Sequence, residues 1–309
     1  MKVSYSAPGK IILFGEHAVV YGEPAIAIAV DKRTTCTISD AENETTVNGY
    51  PINMDYHSYI LKSMDYVDID KPLEIVTESE VPSGAGMGSS AAVTVATLAS
   101  LHDISGDIEE EMLAKESFYV EWDVQGSASP IDTSTSTHGS AVMLSNDKEE
   151  DFLWSIRKES NEWNIHHRDI PEMQMVVGDT GVHARTGPLV EKVRRFYMDN
   201  NFAKQIVREI GKLVVDASRA LADEDLKKIG ELMDKNHELL TILGVSHPKL
   251  ERLVKGARKY SYGAKLTGAG GGGSMVAVTD EPDKVADVIE RRGGTPYIID
   301  TTGEGFRKN

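Results

Sequence analysis

Two glycine-rich segments and a few charged side chains hold the residue types that could do chemistry in this chain. The first segment is Ser83-Gly84-Ala85-Gly86-Met87-Gly88-Ser89-Ser90, and an Ala-, Val- and Leu-rich helical pattern follows it over 91–101. Glycine reaches positive φ without strain and lets backbone N–H groups approach a ligand closely. A helix start adds N–H groups with no intrahelical partner and the positive end of the helix dipole. Together they suit an anion such as phosphate. Ser89 and Ser90 stand where a hydroxyl caps the helix or reaches a metal on the phosphates. The plainer reading is a tight turn with a serine N-cap. The density of glycine directly before a long helix favours phosphate.

The second segment, Gly268-Ala269-Gly270-Gly271-Gly272-Gly273, fits G-x-G-x-x-G only because it is nearly all glycine. A dinucleotide site needs a helix after it, and here strand-like residues 275–278 follow. A glycine arm packed against a ligand or against the first loop fits better than a free linker. Glu121 lies on the second predicted helix after the first loop. Asp132 lies in Ser129-Pro130-Ile131-Asp132-Thr133, among small residues that leave room for a substrate. Lys10, Glu16 and His17 flank a strand and the turn at Gly15. Singly, each of these reads as a solvated or structural residue. No G-x-x-x-x-G-K-[ST] occurs, which excludes a Walker-type site. His167-Arg168-Asp169 imitates a protein-kinase catalytic loop, but Gln174 stands where Asn is needed and no Asp-Phe-Gly occurs.

The elements that must position these residues follow from periodicity and turn signals. Residues 1–40 read as strands, clearest over 10–14 and 24–30. Asn48-Gly49 signals a hairpin. A short helix starts at 57, and a strand over 73–76 runs toward Pro82. Helices cover 91–101 and 108–123, then 125–137 reads as loop. A strand covers 141–144, and charged residues 146–170 read as an exposed hairpin or insertion. A buried strand covers 173–177. Helices follow over 189–198, 202–222, 225–240 and 249–259, then a strand over 275–278, a helix over 282–292 and a strand over 296–299. This order predicts an α+β chain of two domains joined near 170–185.

The 309 residues are 40% apolar, enough for an enzyme-sized core. A formal net charge of -16 disfavours nucleic acid and anionic membrane surfaces. The one cysteine, Cys36, excludes an intrachain disulfide and fits a reducing cytoplasm. No apolar run approaches the roughly 20 residues that span a bilayer, and the N-terminus lacks an apolar signal core.

Three segments in order resemble the GHMP kinase family, over nearly the whole chain. They are Ala7-Pro8-Gly9-Lys10 through Gly15-Glu16-His17-Ala18-Val19-Val20-Tyr21-Gly22, then Pro82 through Ala92, then Lys265 through Gly273. The resemblance implies a ribosomal protein S5 domain 2-like N-terminal domain over 1–175, carrying the ATP phosphate loop, and a ferredoxin-like C-terminal domain over 176–309. It implies Mg²⁺ and ATP, and phosphorylation of a small-molecule hydroxyl. The continuation Ala18–Gly22 is that of members acting on mevalonate, so the expected acceptor is its primary hydroxyl, in isoprenoid biosynthesis. Phosphomevalonate or a sugar as acceptor, and a non-catalytic sensor, are the alternatives.

Position by position, the resemblance makes Asp132 and Lys10 catalytic. It puts Glu16, His17, Tyr21, Thr180 and Thr186 beside the substrate. Pro82, Gly84, Ala85, Gly86, Met87, Gly88, Ser89 and Ser90 would bind ATP, with Gly268, Gly270, Gly271 and Gly272 as the third motif. Ser90 and Glu121 would hold Mg²⁺. The chain departs from the family at Gly187, where arginine usually follows the threonine, at His138-Gly139-Ser140, where paired glycines are common, and at Met87 for leucine. A cytoplasmic homodimer is expected, with neither nucleic acid nor membrane as partner.

Overall fold

The computed structural model describes every residue except 70, 107, 127 and 183–185, together with the side chain of Thr186. Strands β1 (Lys2–Phe14) and β2 (Ala25–Asp40) form its backbone. They pair antiparallel, with register shifts at Pro8/Gly9 and Ile12/Phe14 that bend β1. The hairpin of β3 (Thr46–Val47) and β4 (Tyr50–Pro51) turns at Asn48-Gly49, both with positive φ, as a two-residue hairpin loop demands. The other edge of β2 is shared. Strand β5 (Leu73–Ser79) takes its C-terminal half and β6 (Ala141–Ser145) its N-terminal half.

Residues 146–170 do form a hairpin, of β7 (Phe152–Lys158) and β8 (Asn161–Arg168), but it is not a free insertion. Strand β8 pairs with β6, and Trp154, Ile156 and Ile165 are buried. The charges that suggested exposure occupy the outer face, since side chains alternate along a strand.

Four helices cover this sheet: α1 (Met54–Val67), α2 (Ser89–Ser105), α3 (Glu110–Gln125) and α4 (Ile131–His138). Helix α1 begins three residues before the expected His57, because Asn53 caps it by accepting from Tyr56 N at 3.2 Å. Every residue from Thr94 to His102 in α2 is buried, as befits a helix apolar all round. Helix α4 corrects the expected loop over 125–137. Ser and Thr disfavour helix because their hydroxyls compete for backbone groups. Here Thr135 and Thr137 donate to the carbonyls of Ile131 and Thr133, 2.6 and 2.8 Å away and four residues back. The hydroxyls are thereby satisfied, and burial of the segment from Thr133 to Thr137 decides for helix.

A second sheet holds β9 (Gln174–Asp179), β10 (Gly263–Thr267), β11 (Ser274–Val278) and β12 (Thr295–Asp300) in the order β10-β11-β9-β12, all antiparallel. In chain order this is second, third, first, fourth, the ferredoxin-like arrangement. Strand β10 was not foreseen, because a leading glycine, a lysine and the glycine run after it hide its pattern. Helices α5 (Thr186–Asp199), α6 (Asn201–Ala222), α7 (Leu226–Ile242) and α8 (Pro248–Ala257) lie between β9 and β10, and α9 (Pro282–Arg291) between β11 and β12.

The chain passes between sheets after Arg168 and before Gln174, so the expected division at 175/176 falls inside β9. A last strand, β13 (Arg307–Lys308), returns to pair with β1. Ile11, Leu13 and Phe14 of β1 share one buried cluster with Met175 and Val177 of β9 and Val276 of β11. No helix among the described residues is long and apolar enough to cross a membrane.

Candidate active site

Strand β1 carries Lys10 among buried apolar residues, and its backbone N–H donates to Met87 O at 3.0 Å. That bond ties the glycine loop to the strand. Along the loop, Ala85 and Met87 are buried in the core, while Gly84, Gly86 and Gly88 line a cleft of roughly 460 Å³. Gly88 is the N-cap of α2, with φ of 69° and no side-chain cap, so the expected serine cap is replaced by glycine. Ser89 and Ser90 line the cleft and do not cap the helix. A Cβ on Gly88 would sit 2.7 Å from Lys10 Cε, so the lysine stem runs directly across this glycine.

The Lys10 ammonium reaches Asp132 Oδ2 at 2.8 Å. Asp132 sits in the first turn of α4, where the helix dipole favours a carboxylate. Lys10 is buried, whereas the Asp132 side chain is 30% exposed and faces the cleft. Glu121 of α3 is buried beside it and accepts from Ser90 Oγ at 2.8 Å. Burial first, and the Asp132 charge second, push the Glu121 carboxyl up to about 7, against the pull of Ser90 and Lys10. This is a buried carboxylate short of positive charge. Lys10 is the one lysine or arginine lining the cleft among the described residues. A divalent cation with oxygen ligands fits that deficit at Ser90 and Glu121.

Glu16 lines the same cleft as Lys10 and Asp132, and it also reaches across to the second sheet. Its carboxylate pairs with the Lys265 ammonium of β10, both fully buried, and its other oxygen accepts from Asn236 Nδ2 of α7 at 3.2 Å. Glu16 therefore joins the first sheet to the second. His17 follows with φ of 63°, and its Nε2–H donates to Ala269 O at 2.9 Å. Burial holds this imidazole below its ordinary range, so it is neutral at pH 7. Thr267 adds a third tie, donating to Ile12 O at 2.9 Å.

Gly268 and Ala269 line the cleft opposite the loop. Gly86 of the first loop faces Ser274 and Thr267 at the two ends of the arm. Gly270 and Gly272 instead press on backbone: a Cβ on either would lie 2.1 and 2.4 Å from Val245 O and Val182 O. Gly271 N donates to Val245 O at 2.7 Å. Pro82 is half-buried at the base of the loop, outside the cleft lining.

Two residues expected beside the substrate do not line the cleft. Tyr21 stacks on Tyr197 of α5, with ring centres 3.9 Å apart. Thr180 donates to Gly273 O at 2.7 Å and so fastens the glycine arm. The side chain of Thr186 lies outside the described residues. The sequence reading missed Gln125, Val190 and Lys265. Gln125 was signalled by its place four residues after Glu121, on the same helix face, where its Nε2 approaches Glu121 Oε1 at 3.4 Å. A second hollow of about 380 Å³ adjoins the cleft past Val19, Val20 and Val190, walled by Trp122 and Trp163. The convergent charges and the helix end lie in the first.

Residues 56–140 match the family GHMP kinases N terminal domain, and residues 217–295 match GHMP kinases C terminal. The chain is 36% identical to the mevalonate kinase of Pyrococcus furiosus, over 99% of this chain and 98% of the relative. It is 37% identical to that of Methanothermobacter thermautotrophicus, over 94% and 93%. The solved Methanococcus jannaschii mevalonate kinase superposes with a TM-score of 0.80 at 27% identity, over 97% of this chain and 98% of that one. The L. major mevalonate kinase in complex with R-mevalonate gives a TM-score of 0.80 at 24% identity, over 97% and 96%. With both family matches in register and relatives above 30% identity along nearly its full length, the chain belongs to the GHMP kinase family.

Proposed function

We infer that the chain transfers the γ-phosphoryl group of ATP to the primary hydroxyl of (R)-mevalonate, giving 5-phosphomevalonate for isoprenoid biosynthesis. One observation carries this reading: the Lys10–Asp132 pair and the open N-terminus of α2 face a single cleft in a chain whose full-length relatives are mevalonate kinases.

Phosphoryl transfer passes through a loose transition state, so positioning and charge neutralisation dominate. The amides at the start of α2 and the glycine loop would grip the phosphates of ATP. Ser90 and Glu121 would hold Mg²⁺, which when bound neutralises phosphate charge. Asp132 meets the attacking hydroxyl, either accepting its proton or orienting it while Lys10 stabilises the developing alkoxide. His17, neutral and locked to the glycine arm, closes the acceptor side. Pro82, Gly84 through Gly88 and Ser89 form the nucleotide wall in this reading, and Gly268 through Gly272 the wall opposite.

The family resemblance carries a homodimer, and the lone buried thiol of Cys36 fits a reducing cytoplasm. Light scattering on the purified chain tests the dimer. The function is tested by ADP release with mevalonate, phosphomevalonate, homoserine and galactose in turn. Turnover with mevalonate at least tenfold above the other three is expected. Preference for another acceptor, or no ADP release at all, overturns the reading.

A further inference from the structure

His138 ends α4 and His167 lies on β8, at the opposite end of α4 from Asp132. Their rings meet edge to face, with centres 5.1 Å apart at 79°. His138 Nε2 stands 2.9 Å from His167 Nδ1. A carboxylate occupies the outer nitrogen of each ring. His138 Nδ1 is 2.7 Å from Glu110 Oε1, and His167 Nε2 is 3.2 Å from Asp169 Oδ1. The row reads carboxylate, imidazole, imidazole, carboxylate, and phosphoryl transfer uses none of it.

Counting hydrogens shows what the row lacks. Its three contacts need three N–H groups, and two neutral imidazoles supply two. With both outer nitrogens donating to carboxylates, both inner nitrogens present lone pairs to the same gap. One added cation completes the row. A carboxylate behind a ring fixes its tautomer and makes the inner nitrogen a better ligand, the usual surrounding of metal-bound histidine.

The spacing also suits a metal. Two nitrogens roughly 2.0–2.1 Å from one ion stand about 2.9 Å apart at a right angle and about 3.4 Å apart at the tetrahedral angle. The observed separation lies at the near end of that range. Both rings must swing so that their lone pairs converge beside the N–N line. The His138 and His167 side chains are 17% and 32% exposed, so water can complete the shell. Trp154 closes the other side, edge-on to His138 at 6.0 Å. Imidazole suits Zn²⁺, Ni²⁺ or Cu²⁺, whereas Mg²⁺ demands oxygen.

We propose that His138 and His167 form a two-histidine site for a divalent transition metal of the Zn²⁺ class, backed by Glu110 and Asp169, which clamps the C-terminal end of α4 to β8. No group of three His, Cys, Asp or Glu side chains suited to a metal occurs among the described residues, and the proposed site draws on two.

The test is a titration of the chelator-stripped chain with Zn²⁺, in excess Mg²⁺ to occupy oxygen sites. One Zn²⁺ per chain is expected, lost in H138N and in H167N and weakened about 10- to 100-fold in E110Q. Cu²⁺ bound in its place should show two-nitrogen hyperfine coupling by electron paramagnetic resonance, falling to one nitrogen in each histidine variant. Circular dichroism checks folding, and E110Q serves if a histidine variant does not fold. Absence of Zn²⁺ uptake would mean the gap holds only a proton. Equal uptake in H138N and H167N would place the metal elsewhere. Either result overturns the proposal.

Discussion

Lys10 arrives at Asp132 buried, with its stem laid across Gly88, while Asp132 keeps one side open to the cleft. An ammonium held that way can move little, so the carboxylate is the group an incoming hydroxyl meets. Replacing Asp132 with Asn keeps its size and removes both the negative charge and the proton acceptor. Turnover should fall about 10²- to 10⁴-fold, with KM for ATP changed only a few-fold, because the α2 amides are untouched. Steady-state kinetics on D132N check this, and near-normal kcat would remove Asp132 from the chemistry. Small residues around Asp132 marked it as a candidate in the sequence, and the family resemblance, not its spacing, supplied the expected role. Lys265 was not legible. Its partner Glu16 lies 249 residues away, and nothing in local spacing reports such a pairing.

Strand, loop and helix meet at Gly88, and this is where backbone geometry governs the chemistry. With φ of 69° and Lys10 Cε at 2.7 Å from a notional Cβ, alanine adds left-handed strain of roughly 1–2 kcal/mol and pushes the lysine aside. G88A should stay folded, melt a few degrees lower and lose at least tenfold in kcat. Normal turnover in folded G88A would show that the path of Lys10 is not set here. The Glu16–Lys265 pair tests a longer connection, between β1 and β10. K265M leaves a buried carboxylate unpaired and should destabilise by roughly 3–5 kcal/mol in urea unfolding. The double variant E16Q/K265M should recover most of that. No recovery would mean the loss came from packing around the lysine stem. Helix α6, with a strong period that buries one face, and α2, apolar all round, were legible because each buries a continuous apolar surface. Helix α4 and strand β10 were not, since hydroxyl back-bonding and a buried ion pair override propensities that point elsewhere.

Across the whole molecule, buried polar ties hold the elements around the cleft, and two of these are histidines, one spanning the two sheets and one joining α7 to β10 within the second. His17 donates to Ala269 O, and His237 of α7 accepts from Leu266 N of β10 at 3.1 Å. Burial holds both below the ordinary histidine range, His237 at about 4. Above pH 6.5 the imidazole of His237 is neutral whether folded or not, and its contribution is intact. As pH falls toward 4 the unfolded chain gains a proton that the folded chain refuses, so stability is lost through that window. Glu121 works in the opposite sense. Its raised carboxyl takes up a proton in the folded state below about 7, which stabilises the metal-free chain as pH falls toward the ordinary carboxylate range. The raw pH profile therefore mixes two signs, and a difference isolates one. H237Q keeps an acceptor for Leu266 N and has nothing to titrate. Relative to H237Q, the wild type should lose of order 1 kcal/mol per pH unit between 6.5 and 4. Parallel unfolding free energies for the two proteins across that interval would show that His237 takes up a proton without disturbing the packing of α7 on β10.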